Sequence, residues 1–170
     1  MRKRVIEQED IIFCLTEIKD LDQVMTIEGD KSNNGFVYQW TKEQHIETIE
    51  SDDWLHLLLI HKASQNIIGY ILLEGIKNEH KSIELTRITI KEKGRGYGRK
   101  ALELIKKLCF EELGCHRLWL DVFEENKGAI HLYEKAEFKY EGTLRDCKKY
   151  GEKYYSMRIM SMLYQEYVLI

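Results

Sequence analysis

The apolar positions change their period several times along the chain, and each change marks an element. Ile11 to Ile18 is rich in β-branched and aromatic residues and predicts a first strand. Asp20-x-x-Gln23 has the form of a helix-capping box, with Leu21, Val24 and Met25 as the apolar stripe behind it. Lys31 to Gly35 reads as a polar loop. Thr41-x-x-Gln44 is a second capping box, opening a short helix with Ile46 and Ile49 on one face. Leu55 to His61 and Ile67 to Ile76 have strand character, and the polar stretch Lys62 to Asn66 between them suits a hairpin turn. Ser82 to Ile90 is the fourth predicted strand.

The period then lengthens. After the glycines at 94, 96 and 98, the residues Ala101, Leu102, Ile105, Leu108 and Cys109 recur at helical spacing. Gly114 stands where a C′ glycine ends such a helix. Arg117 to Phe123 is the fifth strand, and Asn126 opens a helix to about Ala136. Two β-like stretches finish the chain, Phe138 to Leu144 and Tyr154 to Leu163, joined by a charged loop around Gly151. The order β-α-α-β-β-β-α-β-α-β-β predicts an α+β (mixed α/β) architecture: a central sheet with helices on both faces, in one domain over residues 1–170.

Composition narrows the function classes. The 170 residues are 44% hydrophobic and 32% charged, an ordinary globular balance. A net charge of −3 gives no reason to expect a nucleic-acid or membrane partner. No apolar run has the roughly 20 residues of a spanning helix, and the basic start Met1-Arg2-Lys3-Arg4 lacks a following apolar segment, so a cytoplasmic protein is expected. The four cysteines, at 14, 109, 115 and 147, show no metal or disulfide spacing, and no metal is expected. There is no proline, so turns are read from Gly, Asn and Asp.

The run Lys93-Gly94-Arg95-Gly96-Tyr97-Gly98 between a strand and a helix is a phosphate-binding arrangement. The first N–H groups of a helix lack intrahelical partners, point outward together and are reinforced by the helix dipole. Lys93, Arg95 and Arg99 add positive charge there. The P-loop pattern is absent. G-x-G-x-G replaces the dinucleotide fingerprint G-x-G-x-x-G, and several strands precede the turn, where a Rossmann turn follows the first strand. Asp121 nevertheless lies at a plausible distance for a ribose carboxylate, so a nucleotide-binding module stays open on the residues alone. A basic stretch, Arg145 to Lys153, admits an RNA-facing role but reads more simply as a solvated loop.

A second constellation supplies context. Asn126, Ala129 or Ile130, and Tyr133 lie along one helix face, because seven residues make almost two turns. With the glycine run they resemble the signatures of the GCN5-related N-acetyltransferases, whose cofactor motif is Gln/Arg-x-x-Gly-x-Gly/Ala. Here Lys93 takes the first position. The second signature stands as Asn126 through Leu132-Tyr133 to Glu137-Phe138, with Glu137 in place of the common glycine. The tail, Glu141 to Arg145 and Tyr154 to Met157, resembles the branch of ribosomal-protein N-terminal and spermidine acetyltransferases.

The resemblance implies a mostly antiparallel mixed sheet with strands 4 and 5 splayed apart, and acetyl-CoA as co-substrate. It implies direct acetyl transfer to a primary amine: a polyamine, a protein N-terminus or a small amine. A non-catalytic acyl-CoA-binding or regulatory module on the same fold is the alternative, and a homodimer is compatible with either. Tyr133 is implied as the acid at the coenzyme A sulfur, and Glu84 as the carboxylate that accepts the amine proton. The backbone at Ile88, Thr89 and Ile90 is expected to polarise the carbonyl. The amides from Gly94 to Arg99 are expected to hold the pyrophosphate, with Lys93 beside them, and Asn126 and Ala129 to flank the pantetheine arm. Glu28 and Asp30 are candidates for an acceptor pocket.

Overall fold

Strand pairing organises the chain into an eight-stranded sheet of order β1-β2-β3-β4-β5-β6-β8-β7 among the described residues. Here β1 is Arg4–Gln8, β2 Ile11–Leu15, β3 Trp54–His61, β4 Ile67–Glu74, β5 Ser82–Ile90, β6 Arg117–Phe123, β7 Lys139–Tyr150 and β8 Lys153–Leu163. The structure is a computed structural model that describes residues 2–30, 33 and 36–169. Helices α1 (Leu21–Glu28), α2 (Lys42–Glu50), α3 (Tyr97–Lys107), α4 (Lys127–Lys135) and the short α5 (Tyr164–Tyr167) complete the fold. Among the described residues, no helix is long and apolar enough to cross a membrane.

The central strands are buried on both faces, and alternate residues serve opposite layers. Phe13, Leu57, Leu59, Ile71 and Leu85 pack with Ala101, Leu102 and Ile105 of α3 and Ile130 of α4. Their neighbours Ile12, Cys14, Leu58, Ile60 and Leu72 pack on the other side with Leu21, Val24 and Ile27 of α1. A strand covered on both sides loses its polar alternation, which is why Leu57 to Ile60 reads as a continuous apolar run.

One pairing differs from the rest. β5 and β6 are parallel and are in register only at Ser82↔Arg117, Ile83↔Leu118 and Glu84↔Trp119. Beyond Glu84, β5 stays with β4 as far as Ile90↔Gly69, and β6 stays with β8 as far as Phe123↔Met157. The register slip that places Arg87 opposite Leu72 and Leu85 opposite Leu73 puts a bulge at Thr86, just where the strands part. This is the expected splay. The strands counted fourth and fifth from the sequence are β5 and β6, because an N-terminal strand precedes them.

That strand, β1, went unpredicted: it is a short edge strand with little apolar alternation. The first predicted strand ends at Leu15, not Ile18, because Ile18–Asp20 form a 3-10 turn. Asp20 does not cap α1. Its carboxylate accepts from the Glu17 amide at 3.0 Å and from Arg2 at 2.8 Å, closing the 3-10 turn instead. The Thr41–Gln44 box forms as expected: Gln44 N donates to Thr41 Oγ1 at 3.3 Å, and Thr41 N donates to Gln44 Oε1 at 2.8 Å. The buried positions of α2 are His45 and Thr48, while Ile46 and Ile49 are only half-buried. The charged stretch around Gly151 is a hairpin, not a loop: β7 and β8 pair down to Tyr150↔Lys153, and Gly151 takes φ 59° at the turn. An edge strand tolerates charge on both faces, so its sequence imitates a loop. Of the polar stretch Lys31 to Gly35, only Asn33 lies within the described residues.

The Thr41 cap yields a measurable expectation. Thr41→Ala removes the acceptor for the Gln44 amide and should lower the unfolding free energy by about 1 kcal/mol. Urea denaturation checks it, and an unchanged midpoint would mean that the cap contributes nothing.

Candidate active site

A cleft of about 1410 Å³ opens where β5 and β6 separate. Its walls come from both strands, the α3 N-terminus, α4, the irregular segment 36–40 and the far end of β7.

The α3 end is built for an anion. Gly96 is the N-cap in the left-handed region, no side chain caps the helix, and the first turn holds no acid. The first intrahelical bond runs from Lys100 N to Gly96 O, so the N–H groups of Tyr97, Gly98 and Arg99 precede the helical ladder. Gly94 and Gly96 adopt φ 77° and 76°, a region that excludes most side chains. Gly98 packs closely on α4, since a Cβ there would meet Leu132 Cδ2 at 3.2 Å. Lys93 and Arg99 line this end. Arg95 does not: its side chain turns outward to Glu92, with Nε 3.0 Å from the carboxylate. A pyrophosphate fits the donor set.

Asn126 caps α4, its Oδ1 accepting from Ala129 N at 3.2 Å, and both residues line the cleft. Tyr133 follows two turns later, 8% exposed, with its ring 6.0 Å from Phe138. Burial, and then the charge of Asp121, hold its phenol protonated well above the ordinary tyrosine range. It therefore carries its proton at neutral pH. Ile88 and Ile90 line the cleft, whereas Thr89 points to the α1 side and is buried there, its hydroxyl without a hydrogen-bond partner.

Glu84 is the last β5 residue paired with β6, and it faces the cleft. Burial pushes its carboxyl up to about 7, with the charges of Asp121 and Glu74 adding to the effect and Lys148 opposing it. Asp121 on β6 lines the same cleft, is likewise raised by burial, and has Lys148 at 4.0 Å. Two acids thus share a partly desolvated site, and one of them is poised to exchange a proton near neutrality.

The candidates Glu28 and Asp30 do not line the cleft. Glu28 is 3% exposed and is enclosed by Arg87, by the Tyr70 hydroxyl at 2.7 Å and by the Trp40 amide at 2.9 Å. A glutamate at the last helical position looks solvated in sequence; here the interior cation of β5 draws it inward.

Other cleft residues were missed. Phe36, Tyr38 and Trp40 form one wall, with Phe36 and Tyr38 each 5.8 Å from Phe123 and Tyr38 5.0 Å from Tyr150. Their i, i+2, i+4 spacing was visible, but with no regular element around it the pattern had no address. Arg87 lies at the cleft with its guanidinium 4.7 Å from the Trp40 ring centre. Cys147, Lys148 and Lys149 also line it, so the basic stretch is more than solvated surface.

The chain matches the family model described as the acetyltransferase (GNAT) family over residues 21–138. It is similar to a spermidine N(1)-acetyltransferase of Vibrio cholerae, 31% identical over 111 residues, 65% of this chain and 64% of that protein. The chain thus matches just under two thirds of that relative's length. A spermidine N(1)-acetyltransferase of Escherichia coli is 27% identical over 154 residues, 85% of this chain and 75% of that protein. The fold is that of the V. cholerae spermidine N-acetyltransferase solved with CoA and spermine, at a TM-score of 0.84 and 23% identity over 95% of this chain and 99% of that one.

Glu84 sets a pH-dependent stability. Its folded-state pKa near 7 lies above the ordinary carboxylate range, so the folded protein retains a proton that the unfolded chain releases. Stability is therefore lost as pH rises through that window. Glu84→Gln should raise Tm at pH 8 and leave it nearly unchanged at pH 4. Thermal unfolding at both values checks this, and an equal difference at the two would contradict it.

Proposed function

The chain belongs to the acetyltransferase (GNAT) family, and from that premise we propose that it is an acetyl-CoA-dependent N-acetyltransferase whose acceptor is a linear polyamine. The observation that carries the reading is Glu84, a carboxyl near pKa 7 in the same cleft as a protonated, buried Tyr133 and an uncapped, glycine-lined helix N-terminus. Base, acid and anion cradle are the three provisions that amine acylation by a thioester requires.

Acetyl-CoA brings an activated acyl group on a good leaving thiolate. The chain's own residues do the rest. The Tyr97, Gly98 and Arg99 amides, with Lys93 and Arg99, hold the pyrophosphate. The apolar side chains of Ile88 and Ile90 border the arm on one side, and Asn126 and Ala129 on the other. Past Glu84 the β5 backbone has no β6 neighbour, which leaves its edge to hydrogen-bond the acyl and pantetheine groups. Glu84 takes the ammonium proton, directly or through water, and the freed amine attacks. The Tyr133 O–H donates to the departing sulfur.

The polyamine assignment draws support from the relatives' acceptor and from the cleft's chemistry. Glu84 and Asp121 offer negative charge to an ammonium group. Tyr38 and Phe123 offer ring faces to the methylene chain and to the cation. A substrate of regularly spaced cations and methylenes suits that alternation of acid and ring.

Two kinetic outcomes are expected with acetyl-CoA and spermidine, read by release of free CoA thiol. Tyr133→Phe should lower kcat by about 10²–10⁴-fold with acetyl-CoA affinity within about twofold of wild type by calorimetry, since the phenol acts only as the bond breaks. An unchanged kcat would remove Tyr133 as the acid. For the wild type, kcat/KM should rise with pH through a limb near 7, as Glu84 must be ionised to accept a proton. Glu84→Gln should abolish that limb, and its persistence in the variant would assign the base elsewhere.

A further inference from the structure

Glu28 is buried among the elements behind the cleft, and both of its oxygens are engaged. Oε1 accepts from the Tyr70 hydroxyl of β4 and from the Arg87 guanidinium of β5. Oε2 accepts from the Trp40 backbone amide at 2.9 Å. The ring of His45 on α2 stands 3.5 Å from Oε2, and His45 in turn meets His56 at 3.0 Å, which reaches Thr16 at 2.8 Å. One carboxylate thus joins the end of α1, two strands and the end of the segment leading into α2.

Two consequences bear on the cleft. First, segment 36–40 carries the aromatic wall but belongs to no helix or strand. Its Trp40 end is fastened to the sheet by the Glu28 bond and by the Arg87 guanidinium against the indole. Second, Arg87 lies at the cleft that holds Glu84 and Asp121. Paired with Glu28, it presents a neutralised cation. Unpaired in a partly desolvated wall, it would repel an incoming ammonium group.

We infer that Glu28 is a positioning residue for the acceptor: it clasps the 36–40 wall to the sheet and cancels the charge of Arg87, so that a cationic substrate can enter. The inference rests on the reading of the cleft as an acetyl-transfer site. It assigns no role to Glu28 at the α3 end, where the pyrophosphate cradle is built from other elements.

Glu28→Gln separates the alternatives, because it keeps the shape but has one acceptor oxygen where Glu28 uses two. Either the Trp40 amide or the Tyr70–Arg87 side loses its partner, and the negative charge is lost in both cases. The KM for spermidine should rise about tenfold, with the KM for acetyl-CoA within about twofold. Glu28→Asp restores the charge and should recover part of the loss. Glu28→Gln with Arg87→Met removes both charges and should bring the spermidine KM below that of Glu28→Gln alone. Hydrogen exchange on the protein without substrates gives a readout that does not depend on turnover. In Glu28→Gln the amides of 36–40 should exchange about tenfold faster while those of β4 and β5 keep their protection. If the two KM values move together or not at all, or if β4 and β5 loosen as much as 36–40, Glu28 is an ordinary core residue and the inference fails. A wild type that turns over no polyamine would sink the proposed function instead, and the exchange pattern alone would then decide the clasp.

Discussion

The parting of β5 and β6 is the constraint on which the rest depends. A parallel pair embedded in an antiparallel sheet needs a crossover connection, and here that crossover is α3. The helix therefore starts beside the end of β5, and its unpaired N–H groups are delivered to the mouth of the gap. The bulge at Thr86 turns β5 away from β6 just past the last shared pair, Glu84↔Trp119. The same divergence leaves a stretch of β5 edge without a strand beside it. Cradle, exposed edge and acid are thus three results of one break in a ladder, which explains how residues as far apart in sequence as Glu84 and Tyr133 come to share a cavity.

Burial supplies the chemistry on that frame. Glu84 and Asp121 sit on neighbouring strands at the edge of the gap, half-buried and close enough for the charge of Asp121 to raise the cost of ionising Glu84. Lys148 from the β7 hairpin moderates this by approaching Asp121. Tyr133 is enclosed more completely and keeps its proton. The carboxyl and the phenol are pushed in the same direction, toward the neutral form, but from starting points far apart. One ends near neutrality and the other well above it, so a carboxyl and a phenol in the same cleft titrate in separate ranges.

Much of this was legible in the sequence, and the exceptions have physical causes. Glycines at positive φ, the Thr41–Gln44 box and the Asn126 cap are local devices, so their residues announce them. The strand from Ser82 to Ile90 ends where its pattern ends. What escaped was set by distant partners. Glu28 has the local look of a helix-end acid in solvent, and its partners lie far along the chain, Tyr70 42 positions later and Arg87 59. Asp20 has the form of a cap until Arg2 and the Glu17 amide claim its carboxylate. The far part of β7, Arg145 to Tyr150, escaped because an edge strand need not alternate. His45 on the inner face of α2 broke the apolar pattern because its partner, His56, lies on β3.

β5 itself separates two kinds of inheritance. Ile88 and Ile90 pack toward the α3 layer, while the intervening Arg87 and Thr89 share the face of their β4 partners, Leu72 and Tyr70, toward α1. Beyond the bulge at Thr86, consecutive codons thus serve different layers of the protein: positions 88 and 90 face the α3 side, and 87 and 89 the α1 side. A single base change in this stretch therefore alters one layer and leaves the other in place, whereas the insertion or deletion of one residue would exchange the two faces.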